Sequence, residues 1–191
     1  MKVDLDTGLL CEAALIASPN FDARPAGMEA DLIVVHGISL PPGEFGGPWI
    51  ARLFTNSLPL DTHPYFAEIG ALRVSSHVTV ARDGDVIQFV RFTDRAWHAG
   101  ASSYLGRDAC NDFSIGIELE GVDTLAYESV QYDVLGEIVA ALCDAYPRLS
   151  PDRLVGHSDI APGRKTDPGP AFDWYRARRC VAMACGKPLT D

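Results

Sequence analysis

Few residue types in this chain can bind a metal or move a proton, and they fall in a pattern. Only five histidines occur among 191 residues. Two of them, His36 in VVHGIS and His157 in GHSDIAPGRKTDPG, stand where an apolar run or a glycine gives way to loop-forming residues. The second segment also holds Asp159, Lys165 and Asp167, and its prolines and glycines suit neither a helix interior nor a central strand. Its order must therefore come from packing or from something its polar groups bind, and a metal is the candidate. A hydrolytic zinc site takes three protein ligands of His, Cys or carboxylate type and leaves a fourth position for water. His36, His157 and one aspartate can supply that set. Asp159 lies close to His157 in the chain, whereas the residues before Asp167 leave room for a turn, so spacing leans only weakly towards Asp167. Each group also has a structural reading. Either imidazole can be satisfied by a carbonyl or carboxylate, Asp167 can cap a turn or pair with Arg164 or Lys165, and no HExxH motif is present.

A general base would have to come from elsewhere. In SIGIELEG, residues 114–121, Ile115, Ile117 and Leu119 share one face of a strand, while Ser114, Gly116, Glu118 and Glu120 share the other. Two glutamates on a polar strand face are most simply solvated. If loops carrying the histidines cover that face, one of them can take a proton from water, and Gly116 leaves space above the sheet. Lys165 is a donor for an oxygen that turns negative in a tetrahedral intermediate, or else a surface lysine.

The elements that must position these groups are legible in part. The run Leu32–Val35 predicts a strand buried on both faces that delivers His36 at its exit. WIARLF opens a short helix, and NSLPLDTHPYF reads as irregular chain, as do residues 17–30. SSHVTVARDGDVIQFV predicts a hairpin turning at Asp83-Gly84. Val130, Val134, Leu135, Ile138, Val139, Leu142 and Tyr146 recur at helical spacing, so about 128–146 is an amphipathic helix ended by Pro147. A last helix is expected over roughly 171–184, with Gly186 and Pro188 as stop signals. Together these predict an α/β fold, a mixed central sheet flanked by helices, in a single domain over 1–191 with a core of about 8–185.

Composition narrows the partners. Sixteen basic against 26 acidic residues leave a net charge of −10, which repels phosphate backbones, and no GxxxxGK[ST] loop occurs. Arg176, Arg178 and Arg179 read as a solvated helix face. Nucleic acid and membrane are not expected partners, and no obligate protein partner is implied. The start MKVDLDTGLL lacks the basic and apolar regions of an export signal, and no apolar run approaches ~18 residues, so a cytoplasmic protein is expected. Five cysteines without a CxxC pair fit reduced thiols, each read as a small buried hydrophobe.

The motifs VVHGISLPPGEFGGPWI, AWHAG, CNDFSIGIELEG and GHSDIAPGRKTDPGPAFDW, in that order, resemble the zinc amidases related to phage T7 lysozyme and peptidoglycan recognition proteins. Within them the likeness is to the cytoplasmic branch that cleaves 1,6-anhydro-N-acetylmuramyl-L-alanine in bacterial cell-wall recycling, and it spans about residues 8–178. The resemblance implies a T7 lysozyme/peptidoglycan-recognition-like fold with one Zn2+ in a groove, held by His36, His157 and Asp167. It implies Glu118 as the residue that handles the water proton, Glu120 as support or surface, and Lys165 as the oxyanion donor. The substrates implied are small anhydro-muramyl peptides, cut at the lactyl–L-alanine amide. Stem-peptide carboxylates call for local donors, for which Arg73 and Arg107 are candidates. Trp97 offers a flat apolar surface, and His98 lines the groove or orients a neighbour. Two positions depart from the family pattern: Gly37 stands where VVHNIS is the commoner form, and Ala109 where an arginine is common. The rival readings are an amidase for intact N-acetylmuramoyl-L-alanine bonds, a muropeptide-binding protein without catalysis, and a cysteine hydrolase using Cys110 or Cys143.

Overall fold

Residues 1–186 are described in the structure, a computed structural model. Among them, six strands build the central sheet: Ala14–Leu15 (β1), Leu32–Ile38 (β2), Val78–Val80 (β3), Val86–Gln88 (β4), Ser114–Glu120 (β5) and Leu154–Gly156 (β6). Their spatial order is β6-β2-β5-β3-β4-β1. β2 is parallel to both β6 and β5, β5 is parallel to β3, and β3 and β4 form the antiparallel hairpin at Asp83-Gly84, with Gly84 at φ +93°. The sheet is mixed, as the sequence predicts. The apolar run of β2 is buried, and all seven residues of β5 are buried, which is the pattern of strands covered on both faces.

The helices are Trp49–Phe54 (α1), Pro64–Ile69 (α2), Ser129–Ala145 (α3), His157–Ile160 (α4) and Trp174–Ala184 (α5). One sheet face carries Ile33, Val35, Ile115, Ile117 and Leu119, which pack against Leu135, Ile138 and Leu142 of α3 in the main core. Behind α3, α5 comes so close at Gly136 that a Cβ there would lie 2.8 Å from the Cys180 backbone. Gln131 ties the start of α3 to the sheet by donating to the carbonyls of Glu120 and Val80 at 3.0 and 3.3 Å. The opposite sheet face buries Leu32, Val34, Ala99, Cys110, Phe113 and Ile160. A further cluster, including Leu53, Phe54, Phe66 and Phe89, holds α1 and α2 beside the sheet.

Five expectations need correcting. Part of the segment read as irregular is α2, which starts at Pro64 and is capped by His63, whose Nδ1 accepts from Tyr65 N at 3.1 Å. Residues 17–30 include a short strand, Phe21–Asp22, paired with Arg95–Ala96. The GHSDI loop begins with a helical turn, α4, because Asp159 folds back to accept the Gly156 amide at 2.7 Å. The last helix starts at Trp174, since Asp173 caps it by accepting from Arg176 N at 2.9 Å. Gly186 stands at φ +62° after it, and Pro188 lies outside the described residues. Of the cysteines only Cys110 is buried; Cys11 is exposed and the other three are half-buried, so burial does not explain them as a group. No helix among the described residues is long and apolar enough to cross a membrane.

Candidate metal centre

Strand register brings the chemistry together. His36 on β2 is the direct partner of Glu118 on β5, and Gly156 on β6 is the partner of Val35, so the next residue, His157, emerges beside His36. Three groups thus line up at the carboxyl ends of adjacent parallel strands, where α/β sheets place ligands. All belong to the sheet face away from α3. The loop after α4 returns to this edge through a hydrogen bond from Ser158 N to Asp167 O at 3.0 Å, and delivers the Asp167 carboxylate.

His36 Nδ1, His157 Nδ1 and Asp167 Oδ2 converge on one point. The two nitrogens are 2.9 Å apart, and the oxygen lies 3.3 Å from the first and 3.0 Å from the second. Donors at the usual zinc distances on a tetrahedral ion are about 3.3 Å apart, so the trio matches one face of such a shell. The donor types, two imidazoles and a carboxylate, are those of an open zinc site. Between the two aspartates that spacing left open, geometry selects Asp167, because Asp159 is consumed in capping its own turn.

The charge states also suit a cation. Burial drives the His36 pKa down to about 4 against a partial offset from Asp167, which keeps the ring neutral, as a ligand must be. Burial alone would raise the Asp167 pKa, but its contacts with His157 and then His36 outweigh that and hold the carboxyl well below its ordinary range. Glu118 behaves oppositely. Its Oε1 is 4.0 Å from His36 Nδ1, and burial, reinforced by the Asp167 charge and opposed by Lys165, pushes its pKa well above the usual carboxylate value. The solvated reading of the two glutamates is overturned, since Glu118 and Glu120 are 7% and 6% exposed. Glu120 braces the site instead, accepting the Gly46 amide from the Pro/Gly-rich loop and Arg82 N at 3.3 Å.

Around the trio runs a cleft whose lining includes Leu40, Tyr65, Trp97, His98, Glu118 and Lys165. Lys165 is exposed at this rim. Trp97 is half-buried, its Nε1 donating to Asp22 at 3.2 Å. His98 is buried beside His36. Arg73 is exposed and donates to the carbonyls of Gly70 and Leu72, next in sequence to the cleft-lining Leu72 and Val74. Arg107 stands apart: it pairs with Asp31 at 2.7 Å and lies 3.6 Å over the Phe113 ring, outside the cleft lining. Ala109, with φ +59°, precedes the turn Cys110–Asp112.

Sequence reasoning missed three residues that shape the site. Arg164 donates to Ala99 O at 2.6 Å and lies 3.4 Å from His157 Nε2. Asn111 accepts the amides of His98 and Ala99. Tyr127 donates to Pro168 O at 3.0 Å, directly after Asp167. A Cβ on Gly37 or Gly121 would run into the Tyr127 side chain, so the glycine that departs from the family pattern makes room for that ring. Two glycines following His36 and Glu120 were the available signal.

His77, one strand further along, is structural. Its Nδ1 accepts from Gly116 N at 3.0 Å and its Nε2 faces Asp94 O at 3.1 Å. Burial, then the nearby Arg24 guanidinium, lower its pKa to about 3, opposed by the Asp94 carbonyl, and the His36 ring adds to the lowering. An unfolded histidine titrates near 6.5, so the folded state resists protonation. Its contribution to stability is complete above about 6.5 and falls by about 1.4 kcal/mol per pH unit as pH drops towards 3. Urea unfolding of His77→Gln between pH 6.5 and 4.5 is expected to show a slope shallower than wild type by about that amount per unit; equal slopes would contradict it.

The profile of the N-acetylmuramoyl-L-alanine amidase family matches residues 26–170. The chain is 56% identical over 185 residues to the 1,6-anhydro-N-acetylmuramyl-L-alanine amidase AmpD of Salmonella typhimurium, covering 97% of this chain and 98% of that one. A crystal structure of a selenomethionine AmpD derivative superposes with a TM-score of 0.91 at 56% identity, covering 95% of this chain and 99% of that one. The solution structure of Citrobacter freundii AmpD gives 0.68 at 54% identity, with both chains covered fully.

Proposed function

This chain belongs to the N-acetylmuramoyl-L-alanine amidase family, and on that premise we propose that it hydrolyses the amide joining 1,6-anhydro-N-acetylmuramic acid to the L-alanine of a stem peptide. The observation that carries this is the convergence of His36 Nδ1, His157 Nδ1 and Asp167 Oδ2 at the floor of a cleft, with Glu118 beside them. These three residues would hold zinc, which supplies a Lewis acid that acidifies water and polarises a carbonyl.

The chain's own groups do the rest. Glu118 is buried with its Oε1 4.0 Å from His36 Nδ1, so its carboxylate accepts the proton of the attacking water and then passes it to the leaving nitrogen of L-alanine. One C–O bond forms, the C–N bond breaks, and the amine leaves protonated. Lys165 at the rim donates to the carbonyl oxygen as it becomes negative. Trp97, its ring plane fixed by Asp22, offers a flat wall to sugar or peptide. Arg73 is the better placed of the two arginines to meet a peptide carboxylate, because the Arg107 guanidinium is already engaged by Asp31 and Phe113. The substrate is a small muropeptide of the cytoplasm, and the catalytic unit is one domain with its core over about 8–185.

Mass analysis of products from matched anhydro and reducing muramyl peptides tests the substrate. We expect release of an L-alanine-terminated peptide, faster from the anhydro form. A clear preference for reducing or polymeric substrates would reject the anhydro assignment in favour of an amidase for intact cell-wall bonds.

A further inference from the structure

A neutral imidazole carries one ring proton, so a histidine that offers Nδ1 to a metal must hold its proton on Nε2. For His157 the surroundings decide this: Nε2 lies 3.2 Å from Ala99 O, which only accepts, while the two hydrogens of Arg164 Nη2, 3.4 Å away, are committed to Ala99 O at 2.6 Å and Ala101 O at 2.7 Å. His36 is different. Its Nε2 lies 2.8 Å from another ring nitrogen, His98 Nδ1, a contact with no direction of its own. Direction enters from further out. Ser114 Oγ is 2.6 Å from Cys110 O, so the single hydroxyl hydrogen is committed there. His98 Nε2, 3.2 Å from Ser114 Oγ, must then donate to the hydroxyl oxygen. That leaves His98 Nδ1 as an acceptor, places the His36 proton on Nε2, and frees His36 Nδ1.

From this chain of contacts we infer that His98 and Ser114 are positioning residues that impose the metal-binding tautomer on His36. Residues 98 and 99 form one bracket serving both histidine ligands, the side chain of the first and the carbonyl of the second. Asn111 fixes that bracket, its Oδ1 accepting His98 N at 3.1 Å and Ala99 N at 2.7 Å. Gly116 makes the arrangement possible, since a Cβ there would lie 2.5 Å from His98 Cγ. Ser114 is fully buried and His98 is 8% exposed, so water has little access to replace either link. The inference rests on the reading that His36, His157 and Asp167 hold zinc, and it gives His98 a role other than substrate contact.

The test uses the whole chain and zinc ion alone. Zinc affinity is measured by competition with a chromophoric chelator, and the ring nitrogens of labelled histidines are read by NMR in the zinc-free protein. Ser114→Ala releases His98 to place its proton on Nδ1, so His36 is expected to gain population with the proton on its own Nδ1, and zinc affinity to fall about 10–100-fold. Ser114→Thr keeps a hydroxyl and is expected to restore both. If Ser114→Ala does not fold, His98→Gln and His98→Leu decide: glutamine can accept from His36 and donate to Ser114, leucine can do neither, and glutamine should bind zinc more tightly. Wild-type zinc affinity and an unchanged His36 tautomer in Ser114→Ala, or equal affinities in the Gln and Leu variants, would overturn the inference. A wild-type chain that takes up no zinc would instead remove the metal reading on which it rests.

Discussion

Glu118→Gln is expected to bind zinc as tightly as the wild type, within a few fold, and to turn over anhydro-muramyl peptide about two to four orders of magnitude more slowly. The separation of the two effects follows from geometry. Glu118 Oε1 is 4.0 Å from His36 Nδ1, further out than any distance within the ligand trio, and the carboxyl is not one of the converging donors. Glutamine has nearly the same shape and keeps the packing on β5, but cannot accept a proton at its amide nitrogen. A carboxyl whose pKa is raised by burial is a better proton acceptor than an ordinary glutamate, so its loss is costly for chemistry and small for binding. Paired measurements of bound zinc and of kcat decide the point. Loss of zinc in this variant would make Glu118 a ligand, and near-wild-type kcat with zinc bound would hand the proton transfer to another group.

How much of this was legible beforehand depended on whether local pattern or tertiary cover set the outcome. β2, β5 and α3 were readable because apolar periodicity extends over many residues in each. α2 was not, because six residues opened by His63 and Pro64 carry too little periodicity to stand out from a loop. Chemistry and spacing pointed to His36, His157 and an aspartate, yet the choice of Asp167 depended on Asp159 being used as a cap, which is a matter of three-dimensional closure. The burial of Glu118 and Glu120 was hidden for the same reason. Alternation marks one strand face as polar, and only the fold shows that residues 97–111 and the loop after α4 close over it. Arg107 looked available as a free cation, and long-range pairing with Asp31 places it elsewhere. Ser114 and Asn111 carried no signal at all, since serine and asparagine are common and their partners are distant along the chain.

The proposed chemistry needs three side chains to share one ion, and Asp167 is the member whose removal changes most. Losing it takes away the only carboxylate donor of the trio and leaves two imidazole nitrogens 2.9 Å apart. Changes in the hydrogen-bond partners of metal ligands already weaken binding by about 10–100-fold, so removal of a direct ligand should exceed about 100-fold. The Asp167→Ala chain should still fold, because the main core under α3 lies on the other face of the sheet. The decisive measurement is therefore zinc content per chain, by elemental analysis after equilibration with a buffered zinc solution, for wild type and folded Asp167→Ala side by side. The prediction is one zinc per wild-type chain, almost none in the variant, and no detectable amidase turnover in the variant. Stoichiometric zinc together with wild-type turnover in Asp167→Ala would contradict it.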